Sequence, residues 1–123
     1  MKMYETVEEF NYDELIYDTK IPITTKGITL KTGQGVLARG TVLGIVTATG
    51  QAVAVDSAAA DGSEVADCIL TDDIDTNVAE PVIYTGYASG RFNRQALLFG
   101  GTDTADKHEQ RLRELGIYLK DKM

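Results

Sequence analysis

Leu37-Ala38-Arg39-Gly40-Thr41-Val42-Leu43-Gly44-Ile45-Val46-Thr47-Ala48-Thr49-Gly50-Gln51-Ala52-Val53-Ala54-Val55-Asp56 is the stretch whose reading decides the fold. Val42, Leu43, Ile45 and Val46 make one β-branched, aliphatic run, and Val53 and Val55 make a second. Such runs favour the pleated, half-buried surface of a sheet. Thr49-Gly50 between them predicts a two-residue hairpin turn, because glycine reaches the positive φ that a tight turn demands. Gly40 and Gly44 fall at the start and inside of the first run, where a missing Cβ marks a bend or a close backbone neighbour.

Outward from this unit the chain has the size and composition of one globular domain. Its 123 residues are enough to bury a core without disulfides or metal. No apolar run approaches the roughly 18 residues of a membrane span. Met1-Lys2-Met3-Tyr4-Glu5 opens no signal-peptide h-region, so synthesis and use inside a cell are expected. The single Cys68 excludes an intrachain disulfide and reads as a small buried residue ahead of Ile69 and Leu70.

The net charge of -7 is distributed in blocks. Residues 1–18 carry six acids against Lys2 alone. Residues 19–55 carry Lys20, Lys26, Lys31 and Arg39 and no acid, and 56–80 carry eight acids and no base. Blocks of this kind serve solubility or meet complementary surfaces. An acidic chain without a basic stripe interleaved with aromatics argues against direct nucleic-acid binding.

Residues 1–20 contain Tyr4, Phe10, Tyr12 and Tyr17 among acids without a clean period. A turn of helix from Asn11 to Ile16 is too short to stand alone, so the segment reads as an arm ordered only when something covers it. Packing of the arm on its own domain is the plainer alternative. Ile21–Thr25 is extended, with Pro22 at an edge, and Gly27–Leu30 alternates as a strand. Ala66–Leu70 and Pro81–Ala88 are further strands, and Ser89-Gly90 predicts a turn after the second. One helix runs from Thr102 or Asp103 to Leu115, with Asp103 and Asp106 at its positive end, Ala105, His108, Leu112 and Leu115 on one face, and Gly116 as its stop. Ile117–Lys120 then returns as a last strand.

Catalytic patterns are missing from this sequence. Lys31-Thr32-Gly33-Gln34-Gly35 is not followed by Gly-Lys-Ser/Thr, and a strand rather than a helix comes next, so nucleotide binding is rejected. Thr71–Thr76 holds Asp73 and Asp75 but lacks the glycine of a calcium loop and reads as a solvated loop. His108 has no nucleophile or second histidine in a workable context and reads as structural. No catalytic residue, metal ligand or cofactor is assigned, and an enzyme is not expected.

Several segments together resemble the phage lambda head decoration protein D family. They are L-A-R-G-T-V-L-G-I-V-T-A-T-G (37–50), A-A-A-D-G-S-E-V-A-D-C-I-L-T-D-D-I-D (58–75), V-I-Y-T-G (82–86) and H-E-Q-R-L-R-E-L-G-I-Y-L-K (108–120), after D-E-L-I-Y-D (13–18) and T-L-K-T-G-Q (29–34). Order and spacing carry the likeness, from about residue 10 to 120, rather than one motif.

The resemblance implies an α+β, mainly β domain with the character of a small β-barrel (β-tulip), one C-terminal helix and a flexible N-terminal arm. The arm is residues 1–20, disordered when free, and the body is 21–123. It implies a homotrimer on the outer surface of the expanded capsid, at three-fold and quasi-three-fold positions, stabilising the shell against packaged DNA. The partner is the major capsid protein, with no nucleic acid and no membrane. The chain is made in the bacterial host cytoplasm and ends in the virion. Phe10, Tyr12, Leu15, Ile16, Ile21 and Ile23 are then the apolar candidates for capsid contact. A small barrel module of another phage structure, such as a tail or baseplate, is the alternative.

Overall fold

In a computed structural model, which describes residues 15–121, the organising element is the strand β8, Val82–Asn93. It is preceded by β1 (Ile16–Asp18), β2 (Thr24–Leu30), β3 (Val36–Leu37), β4 (Val42–Ile45), β5 (Ala52–Ala54), β6 (Ala66–Leu70) and β7 (Ile74–Asp75). Helix α1 (Ala105–Leu115) and strand β9 (Ile117–Lys120) follow it.

The fold is mostly β and closes as a five-stranded barrel. β8 pairs antiparallel with β2, β2 parallel with β5, β5 and β4 antiparallel, β4 antiparallel with β6, and β6 antiparallel back to β8. Closure removes the sheet edges that an open small sheet would expose. Inside lie Ile28, Leu30, Leu43, Ala52, Cys68 and Leu70, with Leu37 closing the cluster. Burial pushes the Cys68 thiol up to about 12, so it stays protonated and packs as an apolar group.

The strands β4 and β6 are apolar on both faces for a physical reason. Val42 and Ile69 point away from the barrel interior into a second cluster with Leu15, Val55, Phe92, Leu97, Leu112, Ile117 and Leu119. That cluster is what α1 covers. His108 and Leu112 are the buried residues of the helix, and Ala105 and Leu115 pack at its margin. Gly116, at φ 93°, accepts the left-handed conformation that ends the helix and returns the chain as β9.

Several expectations need correction. The two runs pair antiparallel as expected, but the register is not that of a two-residue turn: Leu43 is opposite Ala54 and Ile45 opposite Ala52, where a turn at Thr49-Gly50 would set Ile45 against Ala54. The connection is wider than Thr49-Gly50. Val46 N–H donates to Gln51 O and Gly50 N–H to Val46 O, while Thr47 N–H leaves the ladder for Asp61 O (2.9 Å). Gly44 is a close approach: a Cβ there would stand 2.1 Å from Ser63 O. Ser89-Gly90 does not reverse the chain, since β8 runs straight through it. Thr71–Thr76 is not wholly loop, because Ile74-Asp75 pairs with Val36-Leu37 as a small second sheet. The helix begins later than Asp103, and Thr104 occupies the cap position without a side-chain cap bond. Asp103 has other partners.

Candidate functional site

The distal half of β8 leaves the barrel and builds a three-stranded flank. Gly90 permits this at φ 139°, where a side chain would be strained and a Cβ would press on the Phe92 ring and Ile23 at 3.1–3.2 Å. β1 lies antiparallel on one side, with Ile16 opposite Phe92 and Asp18 opposite Arg91. β9 lies parallel on the other, with Gly90, Arg91, Phe92 and Asn93 opposite Ile117, Tyr118, Leu119 and Lys120. Asn93 N–H donates to Leu15 O at 2.7 Å, so the described chain begins directly beside the end of β8.

The six residues expected to contact a partner divide into three groups. Phe10 and Tyr12 lie outside the described residues. Leu15 is only 1% exposed and belongs to the helix-facing core, with Ile16 packed beside it. Ile21 and Ile23 are half-buried at the surface of the flank. The structure therefore brings Leu15 and Ile16 together inside the body, and leaves Ile21 and Ile23 near solvent.

Ile21 also lines a groove of about 450 Å³ that sequence reasoning did not foresee. Its other walls are Arg91, Ile117, Tyr118, Leu119 and Lys120 from the flank and Glu109 and Arg113 from α1. Arg91 lies over the Tyr17 ring at 5.5 Å and 3.4 Å from Asp18. The Glu109 carboxylate is held by Arg94, whose Nη1 pairs with Oε1 and whose Nη2 donates to Oε2 at 3.0 Å; this keeps Glu109 below the usual carboxylate range. Arg113 approaches Glu109 only at 3.7 Å, and Lys120 forms no ion pair among the described residues. Of the cations at the groove, Arg91 is thus paired with Asp18 and Arg113 with Glu109, and Ile21 and Tyr118 supply its exposed apolar surface.

A second cluster has the composition of a catalytic trio but the wrong connectivity. His108 Nε2 and Asp103 Oδ2 are 2.6 Å apart, with side chains 4% and 3% exposed. Ser57 Oγ and N–H both donate to Asp103, each at 2.7 Å. The carboxylate stands between the hydroxyl and the imidazole, so the histidine is not placed to take a proton from Ser57. The cluster instead ties the segment after β5 to the start of α1, with Phe99 stacked on the imidazole at 5.6 Å. Asp73 and Asp75 are likewise structural acceptors: Asp73 receives Arg39 N–H at 2.7 Å from a segment distant in sequence, and Asp75 receives Asn77 N–H at 2.9 Å within a turn.

The hydrogen bond from His108, followed by those from Ser57, holds the Asp103 carboxyl down to about 2. A depressed carboxyl stabilises the fold fully above its unfolded value near 4, and that contribution disappears as the pH falls through about 2. Asp103→Asn is therefore expected to cost about 1.5–3 kcal/mol at pH 6, the range for hydrogen bonds to a charged group. In urea unfolding at a series of pH values, the gap between parent and variant should close between pH ~4 and ~2. A gap that stayed constant over that window would show that the carboxylate charge contributes nothing.

The exposed apolar side chains include Ile83 (78%) on β8 and Val36 on β3. Ile83 alternates with Val82 and Tyr84, which pack on the barrel cluster, so period-two phasing was the signal that could have found it. No helix among the described residues is long and apolar enough to cross a membrane. In comparisons with known proteins, a family model described as Bacteriophage lambda head decoration protein D matches residues 5–118. No curated protein matches the chain.

Proposed function

Since this chain belongs to the bacteriophage lambda head decoration protein D family, a structural family of phage head proteins, we propose that it acts as a homotrimeric clamp on the outer surface of the expanded capsid. The observation that carries the reading is the family match over residues 5–118, nearly the whole chain.

On this reading the barrel and flank form a stiff body, and the segment that leaves it ahead of Leu15 engages the major capsid protein. An extended segment can add to a sheet edge, with backbone hydrogen bonds giving affinity and alternate side chains giving register. Phe10 and Tyr12 are the anchors of that segment, and Ile21 and Ile23 form its root on the body. Leu15 and Ile16 contribute by fixing where the segment departs. A single segment loses ordering entropy on docking and binds weakly. Three held on one trimer raise each other's effective concentration, for a gain of roughly 10²–10⁴ over one alone. The trimer contacts close on themselves, so the assembly does not propagate beyond three copies. Occupied three-fold and quasi-three-fold positions then tie neighbouring capsid subunits together against the pressure of packaged DNA.

Light scattering after size exclusion, combined with cosedimentation on capsids of the parent phage, tests this reading. A trimer that pellets with expanded and not with unexpanded capsids is the expected result. A monomer, or a trimer that pellets with neither form, would overturn it.

A further inference from the structure

The side of the barrel away from α1 carries a glycine that its own fold does not require. Eight of the twelve glycines hold a positive φ, and a Cβ on Gly44, Gly86 or Gly100 would collide with Ser63, Cys68 or Val55. Gly27, in the middle of β2, has neither reason. Its φ lies outside the left-handed region, and a Cβ there would meet nothing within 4 Å. A glycine inside a strand weakens it and marks the close approach of another backbone. Among the described residues this chain supplies no such backbone.

The surroundings of Gly27 have the same character. Ile28 and Leu30 point into the barrel, so Thr25, Gly27 and Thr29 face outward, opposite Tyr87, Thr85 and Ile83 on β8. Thr25, Gly27, Thr85 and Ile83 are exposed, Ile83 at 78%. None of these positions is charged, in a chain with 25% charged residues. We propose that this face of β2 and β8 seats a second copy of the chain in a head-to-tail contact, and that the incoming surface is the β3–β7 ribbon with the loop that follows it. The inference rests on the homotrimer reading and supplies its interface.

Charge selects the occupant. Each copy carries a net charge of -7, so two copies repel unless unlike charges meet locally. β2 and the turns around it hold Lys20, Lys26 and Lys31 and no acid, while the ribbon and its loop hold Asp75 and Glu80 and no base. Lys20, Lys31, Asp75 and Glu80 are exposed, and none forms an ion pair among the described residues. The ribbon and loop also expose Val36 at 68% and Val78 at 48%, aliphatic side chains to set against Ile83. The ribbon is a separate sheet of two short strands, narrow enough to bring its backbone over a position without a side chain. Two unlike patches on each copy make a heterologous contact, the kind that closes into a ring.

Two measurements on the full-length chain test the interface. Light scattering after size exclusion should give Gly27→Val the mass of one chain where the parent has the mass of three. Its circular dichroism should match the parent's, because the valine has open space within its own chain. Co-expressed Ile83→Cys and Val78→Cys chains, treated with a short bismaleimide, should yield a linked pair that neither variant yields alone; the native Cys68 is buried and does not react. A Gly27→Val variant that stays trimeric would overturn the proposal, and so would the absence of a linked pair from the mixture. Linking of Ile83→Cys chains to one another would also overturn it, by placing like faces together. Capsid cosedimentation separates this inference from the reading it rests on. A Gly27→Val trimer that no longer pellets with expanded capsids would assign the face to the capsid and leave the homotrimer standing. A monomeric parent would overturn both.

Discussion

Deleting residues 1–14 should leave a folded body that no longer attaches to expanded capsids. Every residue of both core clusters lies at or after Leu15, so the deletion takes nothing from the described core. The urea midpoint should therefore stay close to that of the parent. Attachment should weaken by at least ~10²-fold, because the avidity of three linked segments is lost together with their contacts. Cosedimentation with expanded capsids reads the second effect, and circular dichroism in urea reads the first. The site of truncation matters. A deletion through residue 20 also removes Leu15 and β1, and loss of a buried leucine alone costs about 2–5 kcal/mol. A failure to attach would then report unfolding as much as a missing contact. Unchanged attachment by the 1–14 deletion would place capsid binding on the body instead.

Phe92→Ala should be the most damaging single substitution to stability. Phe92 is fully buried in the helix-facing cluster, its ring tilted against Tyr87 at 5.4 Å. It also sits at the strand position where β1, β8 and β9 meet, opposite both Ile16 and Leu119. Truncation leaves a cavity between the flank and α1 that three strands would have to move to fill. The expected loss is about 3–5 kcal/mol, a large share of the 5–15 kcal/mol that holds a typical domain. A midpoint shift smaller than that of an exposed control such as Ile83→Ala would contradict this placement of the core.

Much of the barrel was legible because its strands obey simple periods. The paired runs around Val42–Val55, the strand before Cys68 and the return at Ile117 all declare themselves by β-branched or alternating apolar residues. The helix declares itself by spacing and by Gly116. The straight course of β8 was not legible. Ser89-Gly90 has the composition of a turn, and partners distant in sequence, Thr24 of β2 opposite Ser89 and Ile117 of β9 opposite Gly90, hold the chain extended there. A two-residue strand such as Ile74-Asp75 is too short to show any period. Its register depends on Val36-Leu37, far away in sequence.

The site was less legible than the fold. Leu15-Ile16 is an isolated apolar pair in an acidic segment, and nothing local tells whether it faces its own body or a partner. The bond between Leu15 and Asn93 is what fixes it on the body. The groove draws Arg91, Arg113 and Lys120 from a strand, a helix and a second strand, so no single stretch of sequence announces it. His108 was read as structural, but its bond to Asp103 and the link onward to Ser57 are products of the fold.

The most direct measurement is electron cryomicroscopy of expanded capsids of the parent phage, imaged with and without the added protein. The account predicts trimeric knobs over three-fold and quasi-three-fold positions, with density for residues 1–14 running from the body onto the major capsid protein. Capsids that remain bare at those positions with the protein in excess, or knobs seated with that segment directed away from the shell, would contradict it.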